Sequence, residues 1–227
     1  MIRTPTTTRA PTTPRRLATR LVGLVLLGWG LGVVFVHVLG SFVHANLDRP
    51  VDRWFHHHHV RLVTKATAWV SPLGATPVVL AVVVVVIAAV ALRRQHRSRP
   101  LTVALALAYA GGSTIALAVK LAVRKGQAEI PGGLGGIAQL AFPSGHATLA
   151  AAVYGTMAAL LLVGAAATTG NGRRLRTAGA LALVGLIVAI GVARVYRGQH
   201  DPTDVLAGWL LGGLWARAVT ASIRRAG

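Results

Sequence analysis

Apolar residues in this chain do not alternate with polar ones. They gather into six long runs, at about residues 21–43, 72–92, 101–119, 144–167, 177–196 and 202–222. Each is close to the ~20 residues an α-helix needs to cross the hydrocarbon core of a bilayer. In lipid the backbone must satisfy its own hydrogen bonds, so even the Val- and Ile-rich run 72–92 is predicted to be helical. The pattern predicts an all-α fold, a polytopic membrane helix bundle of six transmembrane helices, with residues 21–222 as a single domain. Residues 1–20, rich in Thr, Pro and Arg, predict a disordered cytoplasmic tail. Residues 44–71 mix charges and histidines with Trp54, Phe55, Leu62 and Trp69, which predicts a segment lying along the membrane interface.

Composition agrees: 54% of residues are hydrophobic and only 13% charged, against about 25% charged in a typical soluble domain. The formal charge of +19 does not imply nucleic-acid binding, because the basic residues sit at the ends of apolar runs and not on one polar face. With no cysteine, disulfides, thiolate nucleophiles and cysteine metal sites are excluded. With the N-terminus placed inside, the inner segments hold 15 of the 24 basic residues and none of the 5 acidic ones. Five of the outer nine are Lys120, Arg124, Lys125, Arg194 and Arg197, which belong to polar clusters of their own. The expected topology therefore has both termini cytoplasmic and these clusters facing outward.

Those clusters carry the candidate chemistry. Residues 142–149 read F-P-S-G-H-A-T-L, and residues 193–204 read A-R-V-Y-R-G-Q-H-D-P-T-D. The first opens a span: Pro143 stops the helix extending backward, Ser144 stands at the cap, and first-turn amides form an anion site. Gly145 permits close approach of an oxyanion, and His146 can exchange a proton near neutral pH. In the second, His200 and Asp204 are four apart, so a carboxylate can fix one ring nitrogen and leave the other as nucleophile. Arg194 offers a planar fork suited to phosphate oxygens, and Lys120, ending the third span, adds a point charge. Four span ends thus present polar groups at one depth, which calls for an ionic ligand. No carboxylate cluster of metal-ligand type is apparent beside them, so no metal and no cofactor is expected. The row His56, His57, His58, His59 does not suggest a metal site, since helix neighbours point about 100° apart.

The arrangement resembles the type 2 phosphatidic acid phosphatase (PAP2) family, which shares a superfamily with vanadium haloperoxidases. Pro143-Ser144-Gly145-His146 matches one family signature intact. Arg194, His200 and Asp204 match a second with the right spacing, although Ala193 replaces its serine. Lys120 matches the start of a third, where Gln127-Ala128 stand in place of Arg-Pro. The resemblance covers roughly residues 101–214. It implies a PAP2/haloperoxidase-like core, with His200 as nucleophile, Asp204 as its partner and His146 as acid. It also implies phosphate binding by Lys120, Ser144, Gly145 and Arg194, and a membrane lipid phosphate or pyrophosphate as substrate. Arg124, Lys125, Gln127 and Arg197 are candidate auxiliaries, the first two as replacements for the missing arginine. Two other readings stay open at this point: a lipid-linked phosphotransferase, and a weakly catalytic membrane protein that binds lipid phosphates.

Overall fold

The computed structural model describes residues 14–92, 98–125 and 140–226. Among these the regular structure is helical, with no strand. Helix α1 (Pro14–Gly32) runs on through π-helical turns (Val33–Val38). A short α2 (Gly40–Val43) and a second π-helical stretch (His44–Asp48) lead into α3 (Arg49–His57) and α4 (Arg61–Val70). A 3₁₀ turn (Ser71–Gly74) precedes α5 (Thr76–Leu92), and then come α6 (Ser98–Val123), α7 (Gly145–Ala166), α8 (Gly170–Tyr196) and α9 (Pro202–Ala226).

Among the described residues five helices are long and apolar enough to cross a membrane: Arg15–Val38, Arg99–Val123, Gly145–Ala166, Gly170–Tyr196 and Pro202–Arg224. The sixth differs from expectation. The second apolar run does not begin a straight span at residue 72. The segments Arg61–Gly74 and Thr76–Leu92 meet at a 64° bend, so any sixth span is a broken one. Pro72 and Gly74 account for the break: proline removes an amide donor, and glycine permits close contact. At Gly74 an added Cβ would lie 2.7 Å from Ile190 Cγ2 and 3.0 Å from His146 Cβ. The Tyr154 hydroxyl donates to Leu73 O at 2.7 Å and ties this elbow to α7. The basic stretch 171–176 forms the start of α8, so that helix is longer than the apolar run alone.

Helix α7 is the centre of the bundle, packed most extensively against α9 and α8. Its small residues Ala147, Ala150, Ala151 and Ala152 are buried on successive faces. Two glycines on α9 meet it at backbone distance. A Cβ on Gly212 would lie 2.2 Å from Thr148 O, and one on Gly208 would lie 2.9 Å from Ser144 O. Without a hydrophobic force between helices in lipid, such small-residue contacts supply the packing energy. Thr148 and Thr156, fully buried, return their hydroxyls to Ser144 O and Ala152 O at 2.8 and 2.7 Å.

Two tryptophans, Trp209 and Trp215, pack between helices. Trp215 fills the gap at Gly111 on α6 and donates to Leu107 O at 2.9 Å. Trp209 sits over Gly191 on α8 and donates to Ile187 O at 3.2 Å. By contrast Trp54, Leu62 and Trp69 are exposed, Trp69 by 82%, which fits an interfacial surface on α3 and α4.

Candidate active site

Among the described residues, the predicted site residues stand at helix ends or in the turns that follow them, and these ends gather at one end of the bundle. Lys120 is in the last turn of α6, and its ammonium donates to Leu140 O. Ser144 caps α7 with an extended backbone, after a cis Phe142–Pro143 peptide. The Ser144 amide donates to Asp204 O at 2.9 Å, which joins the start of α7 to the start of α9. The expected side-chain cap is not made. The Ser144 hydroxyl is buried and has no partner.

Arg194 lies in the last turn of α8. Gly198, at φ +62°, closes that helix in the left-handed conformation that glycine adopts at little cost. The reversal places Gln199 N on Arg194 O at 3.0 Å and Gln199 Oε1 2.5 Å from the Arg194 Nη1 donor. The same guanidinium reaches Ser71 Oγ at 3.5 Å, while its Nε–H is buried without a partner. His200 follows in the turn before α9. It stands outside the helix but keeps the i,i+4 relation: Nδ1 is 3.6 Å from Asp204 Oδ2. That is longer than a hydrogen bond, and Nδ1 is otherwise unpartnered. Burial lowers the imidazole's affinity for a proton, with Asp204 opposing that shift and the Arg194 charge adding to it. His146 lies within electrostatic reach of Arg194, His200 and Lys120, so the two imidazoles and two cations occupy one neighbourhood.

A cavity of about 270 Å³ opens on this neighbourhood, lined by Ala68, Ser71, Pro72, Ala75, His146, Arg194, Arg197 and Gln199. Its walls carry two guanidiniums and an imidazole and no carboxylate. Arg197, exposed at the end of α8, stands on this wall.

The auxiliary residues divide. Arg124 adopts φ +53° at the end of α6 and turns its Nε back to Leu121 O at 3.2 Å. Lys125 points inward: its ammonium is 2.5 Å from Asp201 Oδ2 and 2.8 Å from Asp204 Oδ1. Burial works against its charge, yet the Asp204 and Asp201 carboxylates together hold it above the usual lysine range. Neither residue, each expected as a replacement for the missing arginine, is among those lining the cavity. Gln127 lies outside the described residues.

The sequence also hid a polar dock. Asp48, 2% exposed, accepts from Thr203 N at 3.1 Å and Thr203 Oγ1 at 3.0 Å. An anion is thereby placed at the N-terminus of α9, where the helix dipole favours it. His44, Asp48 and Asp201 offer ligand-type atoms within 4.8 Å of one another. No such cluster was apparent from the sequence, because 153 positions separate Asp48 from Asp201. Both Asp48 oxygens accept from Thr203 and Asp201 Oδ2 pairs with Lys125, so these oxygens already have protein partners. Of the histidine row, His58 bonds Trp54 O at 2.7 Å and His59 packs on Tyr196 with ring centres 4.6 Å apart. The Tyr196 hydroxyl in turn accepts from Val60 N at 3.0 Å, which fastens the α3–α4 connection to α8. Tyr196, Ser71 and Gln199 were missed because nothing in their local sequence marks them.

An all-α bundle of membrane-spanning helices, with an anion-receptive pocket where the helix ends meet, defines a multi-pass membrane protein with a phosphate-type site. Comparison with known proteins gives the family. The sequence profile of the PAP2 superfamily matches residues 21–227. The chain belongs to the PAP2 superfamily of membrane phosphatases. Its fold is similar to that of a transmembrane PAP2-type phosphatidylglycerolphosphate phosphatase from Bacillus subtilis, solved as a crystal structure. The two share 21% identity with a TM-score of 0.69, over 88% of this chain and 94% of the other. No curated protein sequence matches the chain.

Proposed function

We propose that this protein hydrolyses the phosphate or pyrophosphate headgroup of a membrane lipid, through a phosphohistidine on His200, on the extracytoplasmic face. The observation that carries the reading is a set of unmet hydrogen bonds. Five buried side-chain polar atoms among the described residues have no partner, and three are Ser144 Oγ, Arg194 Nε and His200 Nδ1. A buried donor left unpaired costs about 1–3 kcal/mol. Ser144 Oγ and Arg194 Nε, on residues of one site, are accounted for by a ligand that accepts hydrogen bonds, as a phosphate does, while His200 Nδ1 faces Asp204 Oδ2.

The steps follow from the chemistry of these groups. Lys120, Arg194, Ser144 and the Gly145 amide would neutralise the phosphate oxygens. The Nε2 lone pair of His200 attacks phosphorus, and the bond from phosphorus to the leaving oxygen breaks. His146 gives its proton to that oxygen. It then takes one from water, whose hydroxide displaces His200 and releases phosphate. Asp204 accepts from Nδ1–H as the ring gains charge, and the 3.6 Å separation tightens, as is common when a catalytic site fills. Burial keeps His200 neutral, hence nucleophilic, at neutral pH. The outward orientation rests on the charge asymmetry of the chain. The similarity to a phosphatidylglycerolphosphate phosphatase makes that lipid one candidate substrate, beside phosphatidic acid and polyprenyl pyrophosphate.

The test is phosphate release from a panel of lipid mono- and diphosphates by the purified protein in detergent. Release is expected to fall at least about 10³-fold in His200→Ala, with loss of the acid-labile, alkali-stable label that marks a phosphohistidine. Wild-type turnover by His200→Ala would overturn the assignment. Transfer of label to an added lipid hydroxyl instead of water would make the protein a phosphotransferase.

A further inference from the structure

Resting on the phosphatase reading above, we infer that Lys125 is a positioning residue: it fixes the Asp204 carboxylate, with Asp201 as its counter-charge, and does not grip the substrate's phosphate. The Asp204 side chain is fully buried, and each of its oxygens has a fixed neighbour. Oδ1 accepts from Lys125 at 2.8 Å. Oδ2 accepts from the Asp201 amide at 3.2 Å and faces His200 Nδ1 at 3.6 Å. With Lys125 on one oxygen, the carboxylate presents the other to the imidazole.

The backbone closes the same circuit. Ala141 N donates to Lys125 O at 2.8 Å, and Ser144 N donates to Asp204 O at 2.9 Å. Lys125 thus links the end of α6, the segment leading into Ser144, and the start of α9. Electrostatics oppose a move to the phosphate. A lysine that left for the ligand would strand two carboxylates, one of them fully buried, beside an incoming anion. Removing one partner of a buried ion pair is strongly destabilising. Asp48 and Asp52 also face this ammonium and would lose its compensation. The cations lining the pocket itself are Arg194 and Arg197.

The test uses the full chain in detergent, assayed for lipid-phosphate hydrolysis and for inhibition by orthovanadate. Lys125→Met is expected to lower kcat by about 10- to 100-fold, the scale of a misplaced catalytic group. KM and the vanadate inhibition constant should stay within about threefold, because the phosphate contacts are untouched. Lys125→Arg should restore most of kcat, and Asp201→Asn added to Lys125→Met should cost nothing further. A vanadate constant weakened tenfold with kcat intact would overturn the inference in favour of a phosphate clamp. Unchanged kinetics would reduce the contact to an incidental ion pair. A thermal-unfolding cycle of Lys125→Met against Asp204→Asn reads the pair without turnover. Strictly additive shifts overturn the inference, whereas full activity in His200→Ala overturns only the phosphatase reading.

Discussion

Gly208 and Gly213, five residues apart on α9, form a matched pair that tests how closely this helix must approach α7. A Cβ on Gly208 would lie 2.9 Å from Ser144 O, 3.0 Å from Ala147 Cβ and 3.0 Å from Thr148 N. Two of these atoms are backbone in the first turn of α7 and cannot rotate aside. Even a weak C–H···O contact sits at about 3.3 Å or more, so Gly208→Ala pushes the helices apart by roughly half an ångström. Overpacking of this kind costs about 1–3 kcal/mol, and the gain from replacing a helical glycine returns about 0.5–1 kcal/mol. The net expectation is a loss of about 1–2 kcal/mol. The displaced turn also carries the Ser144 amide, which donates to Asp204 O at 2.9 Å across the site. A displacement of 1 Å can cost 10²-fold in rate, so half of that predicts roughly a tenfold fall in kcat. At Gly213 an added Cβ meets nothing within 4 Å. Gly213→Ala should therefore keep full activity and melt at the same temperature or higher. Thermal unfolding and lipid-phosphate hydrolysis on both variants decide the matter. Equal stability and turnover in the two would refute the close-contact account.

Two further perturbations probe the surroundings. Burial, with Asp201 and Asp48 nearby, raises the Asp52 carboxyl to about 6. The folded state then holds a proton that the unfolded state releases near 3.8, so the group's contribution falls as pH rises through that window. Asp52→Asn should therefore stabilise the protein at pH 8, with the gain fading as pH drops toward 4 in thermal unfolding; an equal gain at both pH values would refute this. Tyr154→Phe strands the Leu73 carbonyl at the elbow and should cost about 1–2 kcal/mol in thermal unfolding; an unchanged melting temperature would show that water replaces the hydroxyl.

What the sequence revealed follows from how far apart the partners stand. His200 and Asp204 share a short segment, and Pro143 to His146 are contiguous, so their pairing and placement were legible as spacing. The six apolar runs were legible because lipid imposes length and composition on each separately. Lys125 with Asp201, and Asp48 with Thr203, are 76 and 155 positions apart. Only tertiary packing brings them together, and no local signal records it. Pro72 and Gly74 stand at the elbow, but the run 72–92 that contains them read as one uninterrupted span. The roles of Trp209 and Trp215 depend on Gly191 and Gly111 across the bundle, which one-dimensional pattern cannot supply.

Those two indoles work like teeth in notches. Turning α9 about its own axis, or sliding it by a residue, would drive each ring into the backbone of α6 or α8 instead of the hollow cut for it. The helix that carries Asp204 is therefore keyed in place, and guests of different bulk must find their room elsewhere. The kinked arm of residues 61–92 and the segment before it are moored to the bundle through Tyr154, Tyr196 and Asp48.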